Sequence, residues 1–280
     1  MGEVGTLYLV GTPIGNLEDI TLRAIRILGE VDLIAAEDTR QSIKLLNHLD
    51  IHTRMMAYHK HNEHEASAKL RALLREGQNI ALISDAGMPL ISDPGYQLVA
   101  DCRQEDIPVT VVPGPNAGLC GVVLSGIDCR RFTFMGFIGK QNKELREGIA
   151  AIVEATDPVV LYESPHRLGK FLTQLAEVIP ERWMTISREI TKRYEETKRG
   201  TVAELRDWAL EASPKGEFVL VIGGGDGRNA SQTEDLSQGT LDAHLTHYLD
   251  QGMTEKEAMK QEAVDRGVSR REVYAAVKVK

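Results

Sequence analysis

The segment ALISDAGMPLISDPGY, residues 81–96, joins a run of apolar residues to a helical pattern through a loop of small residues and prolines. The apolar run predicts a buried strand over residues 80–84, and the pattern that follows the loop predicts a helix over 96–102. Asp85 comes directly after the strand, where open α/β sheets bind their ligands. Asp93, which precedes a proline, fits the N-cap position of the helix.

The same alternation of strand and helix runs through the first 135 residues. The pattern predicts strands over residues 7–10, 33–36, 80–84, 109–112 and 132–135, and helices over 22–28, 43–49, 66–74, 96–102 and 117–124. Right-handed crossovers between such strands build a mostly parallel sheet. Because the ligand crevice of this sheet lies at the carboxyl ends of its strands, the residues just after each strand are the most informative.

A second α/β pattern follows residues 136–140, GFIGK, which we interpret as a hinge. This pattern predicts helices up to residue 155 and over 168–178 and 202–210, with strands over 159–162, 184–188, 194–198 and 218–222. We therefore predict an α/β fold with an N-terminal domain over residues 1–136 and a second α/β domain over 137–225.

The chain ends in a segment of different composition. Residues 226–239 are rich in Gly, Ser, Asn and acidic residues and predict a flexible linker, whereas 240–280 predict a small helical, helix-turn-helix-like module. A helical hairpin that packs on the body is an equally good interpretation. Residues 254–280 carry seven basic and five acidic side chains, so Arg270 and Arg271 are candidates to bind phosphates at the start of the last predicted helix.

Composition limits the possible partners. The 280 residues are 42% hydrophobic and 26% charged, with a net charge of -8, which argues against indiscriminate binding to nucleic acids. No apolar run approaches the roughly 18 residues that a membrane helix needs, and the N-terminus does not look like a signal peptide. Three cysteines at irregular spacing are typical of reduced thiols. We expect a cytoplasmic protein without a membrane partner.

Polar residues also follow the second predicted strand. Glu37, Asp38, Thr39 and Arg40 stand at its carboxyl end. Capping of the next helix by Asp38 or Thr39 explains one of them but not all four. We therefore favour a polar site over a purely structural role.

Four further loops carry residues that suit either a turn or a ligand site. Residues 11–16 (GTPIGN) and 113–118 (PGPNAG) bring glycines and prolines to strand ends, and Asn116 is also a candidate helix cap. Residues 162–167 (YESPHR) and 188–193 (REITKR) combine acids with bases, which is common in solvated loops. At the rim of a sheet that faces the hinge, they also suit a binding cleft.

Three histidines, His59, His61 and His64, raise the question of a metal site. Their spacing fits no regular ligand geometry, because the predicted switch from strand to helix falls among them, and no cysteine lies nearby. We therefore predict no metal and interpret them as a polar rim of the cleft.

The strand-end loops, in this order, resemble those of the tetrapyrrole (porphyrin/corrin) methylase superfamily, and within it the branch that acts on small-subunit ribosomal RNA. The resemblance covers essentially the whole chain. It rests on residues 7–16 (LYLVGTPIGN), 32–40 (DLIAAEDTR), 59–63 (HKHNE), 81–96 (ALISDAGMPLISDPGY), 113–117 (PGPNA), 162–167 (YESPHR) and 188–192 (REITK).

This resemblance implies two α/β domains with S-adenosylmethionine in the cleft between them, and a homodimer. It also implies 2′-O-methylation of a cytidine ribose in the decoding centre of small-subunit ribosomal RNA, with the assembled subunit as substrate. The cofactor residues implied are Pro13, Asp85, Ala86, Gly87, Met88, Asn116, Ala117, Tyr162 and Glu163. Met88 departs from the pattern, which has threonine there.

Proton removal from a ribose hydroxyl would be helped by a nearby acceptor. The candidate acceptors are Glu37, Asp38, Glu163 and Glu189, and the sequence does not choose among them or exclude water. The candidate contacts to RNA are Arg40, His166, Arg167, Lys192, Arg270 and Arg271. Two alternative functions stay open, namely methylation of a tetrapyrrole and a non-catalytic RNA-binding module; a missing dinucleotide fingerprint disfavours a nucleotide-dependent oxidoreductase.

Overall fold

A computed structural model describes residues 3–225 and nine positions beyond them, Tyr248, Leu249, Thr254, Ala258, Met259, Lys260, Ala263, Val268 and Val273. Its first sheet contains β1 (Leu7–Val10), β2 (Leu33–Ala36), β3 (Met55–Ala57), β4 (Ile80–Ile83) and β5 (Val109–Val112). The strands lie in the order β3-β2-β4-β1-β5, and all pairs are parallel. The predicted parallel sheet is therefore confirmed.

Helices cover both faces of this sheet. They are α1 (Leu22–Glu30), α2 (Thr39–His48), α3 (Glu63–Arg75) and α4 (Tyr96–Gln104). One apolar cluster joins the sheet to α3 and α4 through Leu70, Leu74 and Leu98. Another joins the opposite face to α1 and α2 through Leu28 and Leu46. Because helices cover both faces of the sheet, most of its strands have apolar residues at successive positions in the sequence.

The second sheet contains β6 (Thr133–Phe137), β7 (Val159–Glu163), β8 (Trp183–Arg188), β9 (Glu196–Thr201) and β10 (Phe218–Ile222). The order is β6-β7-β10-β8-β9, with β6 parallel to β7 and the remaining pairs antiparallel. Helices α6 (Asn142–Glu154), α7 (Pro165–Ala176) and α8 (Val202–Ala212) bury their apolar faces in one large core on this sheet.

The sequence prediction misassigned the strand at 132–135. It is present as β6, but its hydrogen-bonded neighbour is β7, so it opens the second sheet instead of closing the first. Helix α5 (Ala117–Ser125) already packs on the second sheet. A Cβ on Gly121 would come within 2.5 Å of Val219 Cγ1, which shows how closely the helix approaches the sheet. The change of sheet thus precedes the glycine hinge.

The chain divides into two compact units, Met1–Arg228 and Asn229–Lys280. The first unit holds both sheets. In the second unit the described residues Ala258, Met259, Ala263 and Val273 form a small apolar cluster against Tyr248. The predicted linker at 226–239, most of the module at 240–280, and both Arg270 and Arg271 lie outside the described residues and stay predictions. Over the described residues, no helix combines the length and the apolar character needed to cross a bilayer.

Candidate functional site

Three strand-end loops of the first sheet meet at its carboxyl edge. Thr12 and Gly87 exchange backbone hydrogen bonds of 2.9 and 3.1 Å, which pairs the loops after β1 and β4. Gly87 holds a φ of 86°, a conformation that favours glycine. A Cβ on Gly11 would lie 2.7 Å from Gly114 Cα, so glycine at this position lets the loops after β1 and β5 touch. The glycines of GTPIGN and PGPNAG therefore serve close backbone packing.

A cavity of about 450 Å³ lies between these loops and the facing edge of the second sheet. That volume is within the usual range for small-molecule sites. The first half contributes Ile14, Glu37, Asp85, Ala86, Gly87, Met88, Ile91, Ser92, Asp93, Asn116 and Ala117, and the second half contributes Phe137, Tyr162, Glu163, Ser164, Pro165, Glu189, Ile190, Lys192, Glu217, Phe218 and Val219. Eight of the nine predicted cofactor residues line this cavity, and Pro13, which is buried beside it, does not.

Three carboxylates stand together on the first-half wall. Asp85 Oδ1 accepts a hydrogen bond of 3.0 Å from the backbone N–H of Asp38, and Glu37 is held by a backbone hydrogen bond from Asp85. Burial raises the pKa of Glu37, and the nearby charges of Asp93 and Asp85 raise it further. Burial also raises the pKa of Asp93. This wall therefore favours a cation or a proton.

The N-cap expectation for Asp93 is wrong. Helix α4 begins at Tyr96, and its N-cap is Gly95 with a φ of 127°. The Asp93 side chain instead hydrogen-bonds Ser84 and lines the cavity. Two neighbouring non-glycine residues of this loop, Leu90 and Ser92, hold positive φ angles of 69° and 73°. Such strain is typical of loops that are shaped for a site.

Glu163 is the most deeply buried acid of the second-half wall. Its side chain is 2% exposed, and burial raises its pKa. One oxygen, Oε1, accepts a hydrogen bond of 2.7 Å from the Ser164 N–H and lies 3.6 Å from Arg167 Nε. The other oxygen, Oε2, is buried and has no hydrogen-bond partner among the described residues. An unsatisfied buried acceptor is costly, which makes it a candidate contact to a bound molecule.

Tyr162 holds the start of α5 beside the cavity. Its hydroxyl accepts a hydrogen bond of 3.0 Å from the backbone N–H of Gly118 in the first turn of α5. Asn116, the predicted cap, is confirmed in that role, because its Oδ1 accepts a hydrogen bond of 2.9 Å from the Leu119 N–H. The start of α5 is therefore fixed both by its own N-cap and by a side chain of β7.

A lysine of the second-half wall is paired with two carboxylates. Lys192 Nζ lies 3.0 Å from Glu189 Oε1 and 2.9 Å from Glu217 Oε2. Although partial burial opposes the charge, the hydrogen bonds to Glu217 and Glu189 raise the pKa of Lys192. Gly15 lies against the aliphatic part of Lys192, which brings the GTPIGN loop onto the second half.

The remaining predicted polar residues lie around the rim or in supporting positions. Asp38 caps α2 and pairs with Arg40 at 2.7 Å, and hydrogen bonds from Arg40 lower the pKa of Asp38 to about 2. His166 is exposed. The Arg167 guanidinium donates hydrogen bonds to the backbone carbonyl oxygens of Ile138 and Gly139, so its main contacts are within the protein.

His59 stands beside the Glu37 carboxylate, whose pKa it lowers slightly against the other influences. His59 and His61 form an edge-to-face pair at 6.0 Å. Across the positions that the structure describes, no group of three or more His, Cys, Asp or Glu side chains is arranged to hold a metal ion.

Comparisons with known proteins identify a family and several similar proteins. The family model of the tetrapyrrole (corrin/porphyrin) methylases matches residues 6–206. A Bacillus subtilis (strain 168) protein named ribosomal RNA small subunit methyltransferase I is 44% identical over 280 residues, which are 99% of this chain and 96% of that protein. A Halalkalibacterium halodurans protein of the same name is 47% identical over 273 residues, 97% of this chain and 94% of that protein.

Solved structures also resemble this chain. Uroporphyrin-III C-methyltransferase from Thermus thermophilus aligns with a TM-score of 0.56 and 23% identity, over 78% of this chain and 94% of that one. A Thermus thermophilus protein named uroporphyrin-III C-methyl transferase, complexed with S-adenyl homocysteine, aligns with a TM-score of 0.54 and 19% identity, over 78% of this chain and 97% of that one. At these identities the likeness establishes the fold.

Proposed function

The chain belongs to the tetrapyrrole (corrin/porphyrin) methylase family and, within it, to the ribosomal RNA small subunit methyltransferase I group, and from this premise we propose its reaction. The reaction is transfer of a methyl group from S-adenosylmethionine to the ribose 2′-hydroxyl of a cytidine in the decoding centre of small-subunit ribosomal RNA. The observation that carries this proposal is the 44% identity to the Bacillus subtilis protein across 99% of the chain. Likeness to tetrapyrrole enzymes, at 23% identity, extends to the fold.

The cavity fits S-adenosylmethionine in size and in chemistry. Its volume of about 450 Å³ suits a ligand of that class. Asp85, Glu37 and Asp93 give one wall negative charge, which suits a sulfonium or ammonium cation. Glu163 Oε2 is a buried acceptor that a hydroxyl or amino group of the ligand would satisfy. Apolar side chains of the first-half wall, such as Ile14 and Met88, suit an adenine ring.

When bound, S-adenosylmethionine supplies a methyl group on a sulfonium centre. The 2′-hydroxyl that takes up this methyl group would give up its proton, which a residue of the chain or water would have to accept. Most of the rate is expected from positioning of the two reactants. The chain must therefore hold the ribose rigidly beside the cavity and provide a place for the proton.

We propose that the Glu37 carboxylate accepts the proton of the 2′-hydroxyl. Of the four candidate acceptors, Asp38 is tied to Arg40 with its pKa lowered to about 2, and Glu189 is paired with Lys192, so both are weak bases. We have assigned the free oxygen of Glu163, Oε2, to a contact with the cofactor. Glu37 lines the cavity, and its raised pKa brings it closer to the range that suits a general base at neutral pH.

We place the RNA along the rim of the cavity. Arg40 and His166 are exposed there and are candidate contacts to phosphates, with Lys192 at the cavity wall. Because the net charge of -8 gives little general affinity for RNA, we expect the assembled small subunit in the cytoplasm to be the substrate. Arg270 and Arg271 are proposed as additional phosphate contacts.

The proposal is tested by mapping ribose methylation in small-subunit ribosomal RNA from cells that lack the protein. One 2′-O-methylcytidine should be missing, and it should return when the wild-type gene, but not one encoding Asp85→Ala, is supplied. An unchanged methylation map would contradict the proposal. If supplying the gene restores methylation of a tetrapyrrole instead, the tetrapyrrole alternative is favoured. If the Asp85→Ala protein complements the cells although it transfers no methyl group in vitro, the non-catalytic RNA-binding alternative is favoured.

A further inference from the structure

Phe137 is an aromatic side chain that lies outside the hydrophobic core. It ends β6, lines the cavity and is 60% exposed, whereas Phe171 and Phe218 are almost fully buried. Its ring centroid lies 5.3 Å from that of Tyr162 at an angle of 57°. Phe137 therefore has one side supported by Tyr162 and much of its ring open at the mouth of the cavity.

A β-bulge places Phe137 in this position. Phe134 pairs with Val160, but the next partner, Leu161, pairs with Gly136, so Met135 is an extra residue in β6. Without the bulge, Phe134 and Phe137 would point to opposite faces of the sheet, because side chains alternate along a strand. With it, both rings contact Tyr162, while Met135 packs into the core on the other face.

The backbone conformation and the close packing at Gly136 both stabilise this bulge. Gly136 holds a φ of 60°, and a Cβ there would come within 2.8 Å of Ser92 Oγ, so conformation and space both favour glycine. Ser92 belongs to the strained loop that lines the cavity. Bulges beside active sites often re-aim a side chain. Here the re-aimed side chain is Phe137.

Exposed basic residues lie in the turn after β6 and on α7, whose first residue, Pro165, lines the cavity. Lys140 is exposed three residues after Phe137, in the turn whose preceding carbonyl groups at Ile138 and Gly139 are held by Arg167. On α7, His166 and Lys170 are exposed and, four residues apart, share one side of the helix. Neither lysine forms an ion pair with any residue of the described part of the chain.

We propose that Phe137 is a stacking platform for a base of single-stranded RNA at the mouth of the cavity, and that Lys140 and Lys170 contact the phosphates beside that base. This inference rests on the proposed function. A partly exposed aromatic ring beside unpaired cations is the combination that binds single strands, because every base has a stacking face. It also suits an acidic protein, since stacking adds affinity without adding positive charge.

The test compares Phe137→Leu with Phe137→Tyr in methyl transfer to small subunits purified from cells that lack the protein. Phe137→Leu keeps an apolar side chain but loses the ring, and the KM for subunits should rise about tenfold, while Phe137→Tyr should stay within about twofold of wild type. The affinity for S-adenosylmethionine, measured by calorimetry, should be the same in all three proteins. Lys140→Ala and Lys170→Ala should each raise this KM and flatten its salt dependence, unlike Lys69→Ala, which removes an exposed lysine of α3.

The outcomes separate this inference from the function on which it rests. If the wild-type protein transfers no methyl group to the subunits, the proposed function fails. If the wild type is active and Phe137→Leu keeps its KM, the stacking role is wrong. A Phe137→Leu protein that binds S-adenosylmethionine more weakly but keeps its KM for subunits would place the ring against the cofactor and would also overturn the inference.

Discussion

The backbone N–H of Asp38 donates a hydrogen bond of 3.0 Å to Asp85 Oδ1, although the two residues are 47 positions apart in the chain. The bond joins the loop after β2 to the loop after β4, two strands that are neighbours in the first sheet. One oxygen of Asp85 is thereby fixed by the protein, which orients the whole carboxylate at the cavity wall. Asp85 is thus positioned before any ligand binds.

Replacement of Asp85 by alanine is expected to weaken the binding of S-adenosylmethionine by roughly 1.5–3 kcal/mol, the usual contribution of a hydrogen bond to a charged group. Calorimetric titration of the folded variant with the cofactor measures this change. Asp85→Asn is the matched variant, because it keeps an acceptor for the Asp38 N–H but removes the negative charge. A folded Asp85→Ala protein with wild-type affinity would exclude Asp85 from the cofactor site.

Replacement of Glu37 by glutamine is expected to lower kcat by about 100-fold, within the range that a general base contributes. The base is active when deprotonated, so wild-type kcat should rise with pH as Glu37 loses its proton. Because burial and the neighbouring charges of Asp93 and Asp85 raise the pKa of Glu37, this rise should fall above the range of an ordinary glutamate. The Glu37→Gln profile should lack it.

Asp38→Asn is the control for this measurement, since asparagine can still cap α2 and the pKa of Asp38 is already lowered to about 2. Its pH profile should follow that of the wild type. Should Glu37→Gln keep both its rate and the rise of kcat with pH, the proton goes elsewhere, and Glu163 becomes the next residue to replace.

Much of the first sheet was predictable, because its inner strands are largely buried on both faces and stand out as apolar runs between helices. The strand at 33–36 is an example, since all four of its residues are buried. β3 was missed, because its three residues are only partly buried and lie at the edge of the sheet. β6 was assigned to the wrong sheet, since the identity of its hydrogen-bonded neighbour is a tertiary property.

The site was predictable where a local rule applies and missed where distant contacts decide. Asp85 stands directly after a strand, and the rule for open α/β sheets places it at the crevice. Asp93 was assigned to a cap because Pro94 follows it, but its partner is Ser84 on another part of the loop. Phe137 gave a weak signal, a Gly-Phe pair at a hinge, because a bulge is visible only through its register with β7.

Replacement of Glu163 by glutamine is expected to change how stability depends on pH. Burial raises the pKa of Glu163 in the folded protein above its unfolded value, so its contribution to stability is fully present below the unfolded pKa and is lost as pH rises through the folded pKa. Glu163→Gln does not ionise. The stability of this variant relative to wild type should therefore increase as pH rises above the ordinary pKa of a glutamate.

Urea unfolding of both proteins at several pH values measures this difference. Glu181→Gln, which replaces an exposed carboxylate, corrects for the general effect of removing one negative charge. If the difference between Glu163→Gln and wild type is independent of pH, or falls as pH rises, then Arg167 and the other contacts of Glu163 stabilise its charged form at least as much as burial destabilises it.

Helix α5 has an exposed apolar side that the expected homodimer would cover. Its sequence, AGLCGVVLS, contains no charged residue and is apolar on every side, although such helices are normally buried all round. One side packs on the second sheet through Gly118, Gly121 and Ser125, but Leu119 and Val123, four residues apart, are 54% and 83% exposed. We propose that a second copy of the chain covers this side. A two-fold contact brings identical surfaces together, and a surface without charge avoids repulsion from its own copy.

Val123→Asp is expected to dissociate this dimer, because each copy would bury an unpaired carboxylate in the contact, and burial of an uncompensated charge costs several kcal/mol. Sedimentation velocity should show the wild type as a dimer and the variant as a monomer, with the dissociation constant raised at least about 100-fold. Leu22→Asp is the matched control, since Leu22 is 85% exposed on α1 and the same charge there should leave the dimer intact. A monomeric wild type, or a Val123→Asp protein that still sediments as a dimer, would show that the exposed side of α5 is not the contact between copies.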